Sequence, residues 1–349
     1  MNTAGAYMRV LNLMLAKGRG GLETMSLRYH QALKGEGFEI LSVGHSDGVL
    51  CDKLPRDQVR VLNTKFTGSP LAALKLKAIA KTFKPDIVLA HGNRAITLAV
   101  HGWADLAPET VAVVHNFRFK PDIAKVAAAI AVSPAVAEAL KTRQPKLHVH
   151  ELENFTPLTM HPVKPFPLDI PVIGALGRLH VNKGFDVLIR AVGLLRDRDV
   201  DVHLSIAGDG PEKDNLHKLV DQLGLQALVG FPGWIEPADG FMATCDLFVL
   251  SSRVEPFGLV LAEAMAAGVP VISTGIDGPR HILKDGELAQ LVPPESPEAL
   301  ADAIETVLAD WMPVLDRAYH AQAHALETYG LIAGRARLSA LINAFGGQN

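Results

Sequence analysis

The sequence predicts an α/β protein of two doubly wound, Rossmann-like parallel-sheet domains facing a central cleft. Three observations carry the prediction. Short runs rich in Val, Ile and Leu alternate with longer helical patterns, and strands apolar on both faces belong in parallel sheets covered on both sides. The alternation runs through the chain twice. Between the passes lies 154–171, with five prolines in eighteen residues and no periodicity, a linker by composition. A chain of 349 residues is long enough for two such domains, at about 150 residues each.

In the first pass, strands are expected at 9–15, 39–43, 87–90, 111–114 and 129–132, with helices at 22–36 and 71–83. In the second, strands are expected at 172–176, 202–207, 228–231, 247–250 and 269–273, with helices at 186–196, 212–223, 259–267 and 297–309. A last helix, near 331–345, has no strand after it. The domains are drawn at 1–165 and 166–325, with 326–349 as a C-terminal helical segment.

Composition excludes other classes. With 48% hydrophobic and 20% charged residues, the chain is neither disordered, collagen-like nor a coiled coil. Two distant cysteines, Cys51 and Cys245, make neither a disulfide scaffold nor a cysteine-based zinc site, and fit a reducing compartment. The most apolar runs are short or broken, so no membrane span is expected, and the start does not read as a signal peptide. A cytoplasmic protein is expected. Residues 1–165 hold 21 basic and 13 acidic residues, whereas 166–349 hold 13 and 24. The first half therefore suits an anionic partner. Net charge is negative and aromatics are only 6%, which argues against nucleic acid.

Three motifs stand at predicted strand ends. Gly18-Arg19-Gly20-Gly21-Leu22-Glu23 follows the first strand and opens a helix. Gly20 and Gly21 let backbone approach a ligand there, and the helix start offers N–H groups to an anion; the plain alternative is a turn that needs glycine. Gly177-Arg178-Leu179-His180-Val181-Asn182-Lys183-Gly184 leaves the first strand of the second pass. Arg178 and Lys183, five apart around a turn, suit a diphosphate; a solvated basic loop is the alternative. Glu255-Pro256-Phe257-Gly258-Leu259-Val260-Leu261-Ala262-Glu263 follows the strand at 247–250. The Glu255 carboxylate and the N–H groups of Phe257, Gly258 and Leu259 suit hydroxyls or phosphate. Glu263 sits on an apolar helix and needs a partner: a ribose diol, or a buried ion pair.

In this order and at these strand ends, the motifs resemble the retaining glycosyltransferases of family 4. Supporting details are Ala207-Gly208-Asp209-Gly210-Pro211, the run from Ala264 to Ser273, and Asp285-Gly286 followed by Leu291-Val292-Pro293-Pro294. The resemblance covers nearly the whole chain and is strongest over 170–300. It implies the two-domain arrangement called GT-B, with a nucleotide sugar on the C-terminal domain. By resemblance, Arg178 and Lys183 hold the diphosphate, Glu263 bonds the ribose, Glu255 contacts the donor sugar, and the Gly20-Gly21 loop closes over the phosphates. The C-terminal helix is implied to return to the N-terminal domain.

His115 is implied to contact the sugar or the transferred centre, with a structural histidine as the alternative. The family often shows His-Asp there; this chain has His115-Asn116, which removes a charge and any acid–base role for that position. Many members carry Glu where Arg280 stands, so Arg280 reads as a surface or interface residue. His91 and Asn93 line the same edge and are read as meeting acceptor.

The implied reaction is metal-independent front-face substitution. Acceptor attacks the face the diphosphate leaves, the leaving phosphate takes the proton, and Arg178, Lys183 and helix N–H groups stabilise the developing charge. No metal or other cofactor is called for, with no Asp-x-Asp read near a strand end; a UDP-linked sugar is the favoured donor. The expected acceptor is a glycan or glycolipid of bacterial lipopolysaccharide or polysaccharide synthesis. The helix at 71–84 is basic and amphipathic, with Leu71, Leu74, Ala78 and Lys81 on one face. That face suits an anionic membrane, at the inner surface of the cytoplasmic membrane, or packs on the sheet. Two other readings share the architecture: a nucleotide-sugar epimerase, which would form product without acceptor, and a non-catalytic nucleotide-sugar-binding member, which would bind without turnover.

Overall fold

A computed structural model describes residues 8–18, 20–64, 66, 68–106 and 109–346. The chain divides into two compact units, one running to Phe155 and resuming at Leu331, the other spanning Thr156–Gly330.

The first unit holds strands β1 (Arg9–Met14), β2 (Glu39–Gly44), β3 (Val59–Val61), β4 (Ile87–His91), β5 (Thr110–Val114), β6 (Ala128–Ala131) and β7 (Val149–Glu151). All pair in parallel, in the order 3-2-1-4-5-6-7. Leu11 lies opposite Leu41 on one side and Val88 on the other. Strands β4, β5 and β6 are buried along their whole length. Helices α1 (Gly21–Gly35), α2 (Val49–Lys53), α3 (Pro70–Phe83), α4 (Gly92–Ala99) and α5 (Pro134–Arg143) join them.

The second unit repeats the plan. Strands β8 (Val172–Leu176), β9 (His203–Ala207), β10 (Val229–Gly233), β11 (Leu247–Leu250), β12 (Val271–Thr274) and β13 (Gln290–Val292) form a parallel sheet in the order 10-9-8-11-12-13. Its helices are α6 (Phe185–Asp197), α7 (Lys213–Gln222), α8 (Ala238–Met242), α9 (Leu259–Ala266), α10 (Asp277–Ile282), α11 (Pro297–Ala309) and α12 (Trp311–Tyr329). Ile173, Leu204, Val249 and Ile272 from the sheet, with Leu188 and Val192 of α6 and Ile304 of α11, belong to one buried core.

The ten expected strands are present within two residues of their predicted bounds. Three strands went unpredicted: β3, β7 and β13, each of three residues and largely uncovered. They sit at sheet edges, where no second apolar face is required. Helices α2, α4, α5, α8, α10 and α12 also went unpredicted; in α5 the Ser133-Pro134 pair interrupts the apolar run. The Ser133 hydroxyl accepts from the Val136 N–H, and Pro134 opens the helix. Ser69-Pro70 and Ser296-Pro297 start α3 and α11 the same way. Such caps contribute about 1 kcal/mol each. Pro313 is tolerated in α12 because it lies in the first turn.

The division at Phe155/Thr156 falls ten residues before the drawn boundary at 165. The proline-rich stretch is strapped to the second unit. Val163 is buried, Lys164 Nζ donates to Asp246 Oδ1 at 3.1 Å and to the Cys245 carbonyl at 3.0 Å, and Gln322 donates to the His161 carbonyl at 2.7 Å. At the other end, α12 runs to Tyr329 within the second unit, so the crossing comes at Gly330 rather than near 325. Helix α13 (Leu331–Gly346) packs on α1 of the first unit. The Phe345 ring meets His150 edge to face at 4.9 Å.

Helix α3 turns Ala72, Ala73, Leu76 and Ala80 inward. The stripe of Leu71, Leu74, Ala78 and Lys81 is exposed. The face expected to pack on the sheet is therefore a different one. No helix among the described residues is long and apolar enough to cross a membrane.

Candidate functional site

In each sheet the winding reverses beside the first strand, between β1 and β4 and between β8 and β11. Loops leaving the carboxyl ends of such strand pairs diverge and open a crevice. The predicted motifs leave these strands: Gly20 and Gly21 follow β1, Arg178 and Lys183 follow β8, Glu255 to Leu259 follow β11. His115 follows β5, one strand further along.

In the second unit the β8 and β11 loops are cross-braced. Lys183 Nζ forms an ion pair with Glu255, seventy-two residues away and part-buried like it. Ser251 Oγ donates to the Lys183 carbonyl at 3.0 Å, and the Arg253 N–H donates to the Asn182 carbonyl at 2.8 Å. Gly184 has φ +63°, and a Cβ there would lie 2.0 Å from the Ser251 carbonyl oxygen. Only glycine admits that approach.

Arg253, which the sequence reading passed over, is the main brace. Its guanidinium grips Asp186 with two bonds of 2.8 Å, Glu295 with another of 2.8 Å, and the Val181 carbonyl at 2.8 Å. The bond to Arg253 holds the Asp186 carboxyl below the usual carboxylate range. A basic residue two or three positions past a strand end was the available signal. Arg178, by contrast, is exposed and has no ion pair among the described residues. The motif thus holds one tethered cation and one uncommitted one.

Phe257 is buried and meets the Tyr329 ring edge to face at 5.6 Å. Its side chain belongs to the core, which leaves only its backbone open to a ligand. Gly258 takes φ +104° to turn the chain into α9, and Leu259 begins that helix. Glu263 lies half-buried on the second turn and is engaged within the chain. Arg280 is exposed and pairs with Asp285 at 3.0 Å. Asp197, Asp199 and Asp201 do stand at Asp-x-Asp spacing near a strand, correcting the sequence reading. They run into the amino end of β9, away from the edge that carries the motifs.

In the first unit, Arg19 lies outside the described residues. Gly20 precedes α1 in extended conformation, and the Thr24 N–H donates to its carbonyl at 3.0 Å. Glu23 folds back over this start: its carboxylate would lie 2.9 Å from a Cβ at Gly18 and 3.1 Å from one at Gly20. The helix start is already faced by a carboxylate.

His91, Asn93 and Arg94 tie the neighbouring loops together. Arg94 donates to the Leu15 carbonyl at 3.0 Å. Asn93 donates to the Arg118 carbonyl at 2.6 Å and accepts from the Lys120 N–H at 3.1 Å. His91 Nδ1 lies 3.1 Å from His115 Nε2, with the rings stacked at 5.4 Å. His91 is buried, whereas Asn93 is only half-buried and uses its amide nitrogen and oxygen to tie the neighbouring loop. Burial pushes the His91 imidazole well below its usual range and His115 down to about 3. Both rings stay neutral near pH 7, so His115 offers hydrogen-bonding groups and no charge. No group of three or more His, Cys, Asp or Glu side chains among the described residues could hold a metal ion.

Comparison with known proteins agrees with this layout. Residues 19–158 match the model described as Glycosyltransferase Family 4, and 159–325 match Glycosyl transferases group 1. A lipopolysaccharide core biosynthesis glycosyltransferase of Rhizobium meliloti, LpsE, is 34% identical over 251 residues, covering 69% of this chain and 70% of that protein. A second from the same organism, LpsD, is 29% identical, covering 68% of each. Among solved structures, Anabaena HepE in complex with UDP and glucose superposes with a TM-score of 0.83 over 97% of this chain and 100% of its own, at 22% identity. Sucrose-phosphate synthase from Thermosynechococcus elongatus gives 0.84 over 98% and 100%, at 19% identity. The two parallel sheets are those of the GT-B fold, and the chain belongs to the family 4 glycosyltransferases.

Proposed function

We propose that this glycosyltransferase moves a hexose, with retention, from a UDP-linked sugar to a glycan or glycolipid acceptor in bacterial lipopolysaccharide assembly. The observation that carries the reading is the pair of cations after β8: Arg178 uncommitted, Lys183 tethered to Glu255. An ammonium has three N–H donors. One bond to Glu255 aims the group and leaves donors for a diphosphate. The R. meliloti relatives support the acceptor class, and the UDP complex of HepE supports the base.

Acceptor oxygen bonds to the anomeric carbon as the bond to the diphosphate breaks, on the same face. The departing phosphate oxygen takes the acceptor proton. Arg178 and Lys183 offset the negative charge that builds on it. Glu255 orients Lys183 and the donor sugar, Glu263 bonds the ribose, and the start of α9 offers backbone N–H groups. No metal or other cofactor enters these steps.

A thermal-shift and calorimetry panel of UDP, GDP, ADP and CMP, with and without Mg²⁺, tests the donor. UDP at one hundred times its Kd should stabilise the protein by about 2.7 kcal/mol, with no need of Mg²⁺. Absence of any nucleoside-diphosphate effect overturns the reading. Product from UDP-sugar without acceptor selects the epimerase instead.

The exposed face of α3 supports docking on an anionic membrane. Leu71 is 64% and Leu74 47% exposed, with Lys75 and Lys81 beside them. Apolar insertion plus cationic attraction is the recipe for interfacial binding. The chain should sediment with phosphatidylglycerol vesicles and not phosphatidylcholine ones. Leu71→Ser/Leu74→Ser should release it, as should salt at about 0.5 M, where screening shortens the reach of charge. Failure to bind either vesicle rejects the docking.

A further inference from the structure

We propose that His91 is a positioning residue: it donates its Nδ1–H to His115 Nε2 and so fixes His115 as the tautomer that carries its proton on Nδ1. The inference rests on the reading of His115 as the group that meets the donor sugar.

His91 ends β4 and caps the start of α4, 1% exposed. His115 comes just past β5, the neighbouring strand, where His91 lies opposite Val113. The short strand-end geometry places the two rings in contact. Tyr29 of α1 meets His91 edge to face at 5.0 Å, and Phe155 stacks on Tyr29 at 5.9 Å. The His91 ring is therefore clamped on one side by aromatics and on the other by His115.

A neutral imidazole has one N–H and one lone pair. The 3.1 Å contact holds a single proton, so only two arrangements exist. If His115 Nε2–H donated, His91 would carry its own proton on Nε2. That atom is buried and has no hydrogen-bond partner. An N–H orphaned in the interior is rarer and more costly than an unused acceptor lone pair. If His91 Nδ1–H donates, the buried Nε2 is only an unused lone pair. The second arrangement is favoured.

Its consequence lies on the far side of the His115 ring. His115 Nδ1 has no partner among the described residues. In this tautomer it bears a hydrogen and can donate to a hydroxyl or an oxyanion, but it cannot accept a proton. His115 is then a hydrogen-bond donor and not a general base. The acceptor proton must go elsewhere, in keeping with its transfer to the leaving phosphate.

Two-bond ¹H–¹⁵N spectra of the full chain labelled at histidine test this directly. The His115 signal, assigned by its loss in His115→Ala, should show a protonated Nδ1. A protonated Nε2 on His115 overturns the proposal, whatever any variant does. UDP release from UDP-glucose supplies the kinetic arm. His91→Leu should lower kcat about 10–100-fold, the range for removing a group that orients a reacting one, with donor KM within about threefold. His91→Asn, which places an N–H near the lost Nδ1, should recover to within about threefold of wild type. His91→Leu should add little in a His115→Ala background. Loss in His115→Ala but not in His91→Leu rejects the positioning role. Equal turnover in wild type and His115→Ala rejects the reading of His115 beneath it.

Discussion

Replacing Lys183 with alanine is expected to cost the enzyme its donor. Two effects separate in the measurement. The first is direct: the side chain aimed at the diphosphate disappears, and loss of one preorganised charged donor costs about 2.7–4 kcal/mol, or 10²–10³ in rate. The UDP-induced thermal shift should vanish with it. The second is indirect. Glu255, only 13% exposed in its side chain, loses its counter-ion. Breaking a buried ion pair from one side destabilises by about 3–5 kcal/mol, less here because the pair is part-exposed. The double variant Lys183→Ala/Glu255→Gln separates the two. It should recover the melting temperature of wild type to within a few degrees and still fail to bind UDP. Retention of UDP binding by Lys183→Ala would remove Lys183 from the donor site.

Gly184→Ala is expected to destabilise the second unit strongly. The new Cβ meets the Ser251 carbonyl oxygen at 2.0 Å in a residue already at φ +63°. The left-handed backbone alone costs about 1–3 kcal/mol, and overpacking adds about 1–3 more. For a unit of this size each kcal/mol is worth roughly 2–4 °C, so the melting temperature should fall by about 5–20 °C. Because Lys183 and Ser251 share a hydrogen bond across this contact, UDP affinity should fall too. Gly240→Ala is the control. It lies within α8, an added methyl there meets nothing within 4 Å, and the substitution should raise stability by about 0.5–1 kcal/mol. Equal effects at the two positions would mean that the close approach is not what demands glycine at 184.

The strands buried on both faces were legible because burial leaves an unmistakable run of Val, Ile and Leu. Strands β3, β7 and β13 were not, because an edge strand needs pairing on one side and no apolar cover. Helix α5 was hidden by Ser133-Pro134, a dipeptide that breaks a helix from within and starts one from its end. The motif residues were individually legible, since each follows a predicted strand. Their pairings were not: Glu255 is seventy-two residues from Lys183, and Arg253 from Asp186 sixty-seven.

The sequence by itself determined two parallel α/β units, the strand ends that carry the motifs, and the residue types present there. Periodicity and chain order carry that information locally. Only the tertiary structure decided which cation is tethered and which is uncommitted, that the Leu71–Leu74 stripe of α3 stays exposed while Leu76 turns inward, and that the buried His91 packs against His115. The tether depends on β8 lying beside β11 and the histidine contact on β4 lying beside β5, and proximity between distant segments is set by packing, not by spacing along the chain.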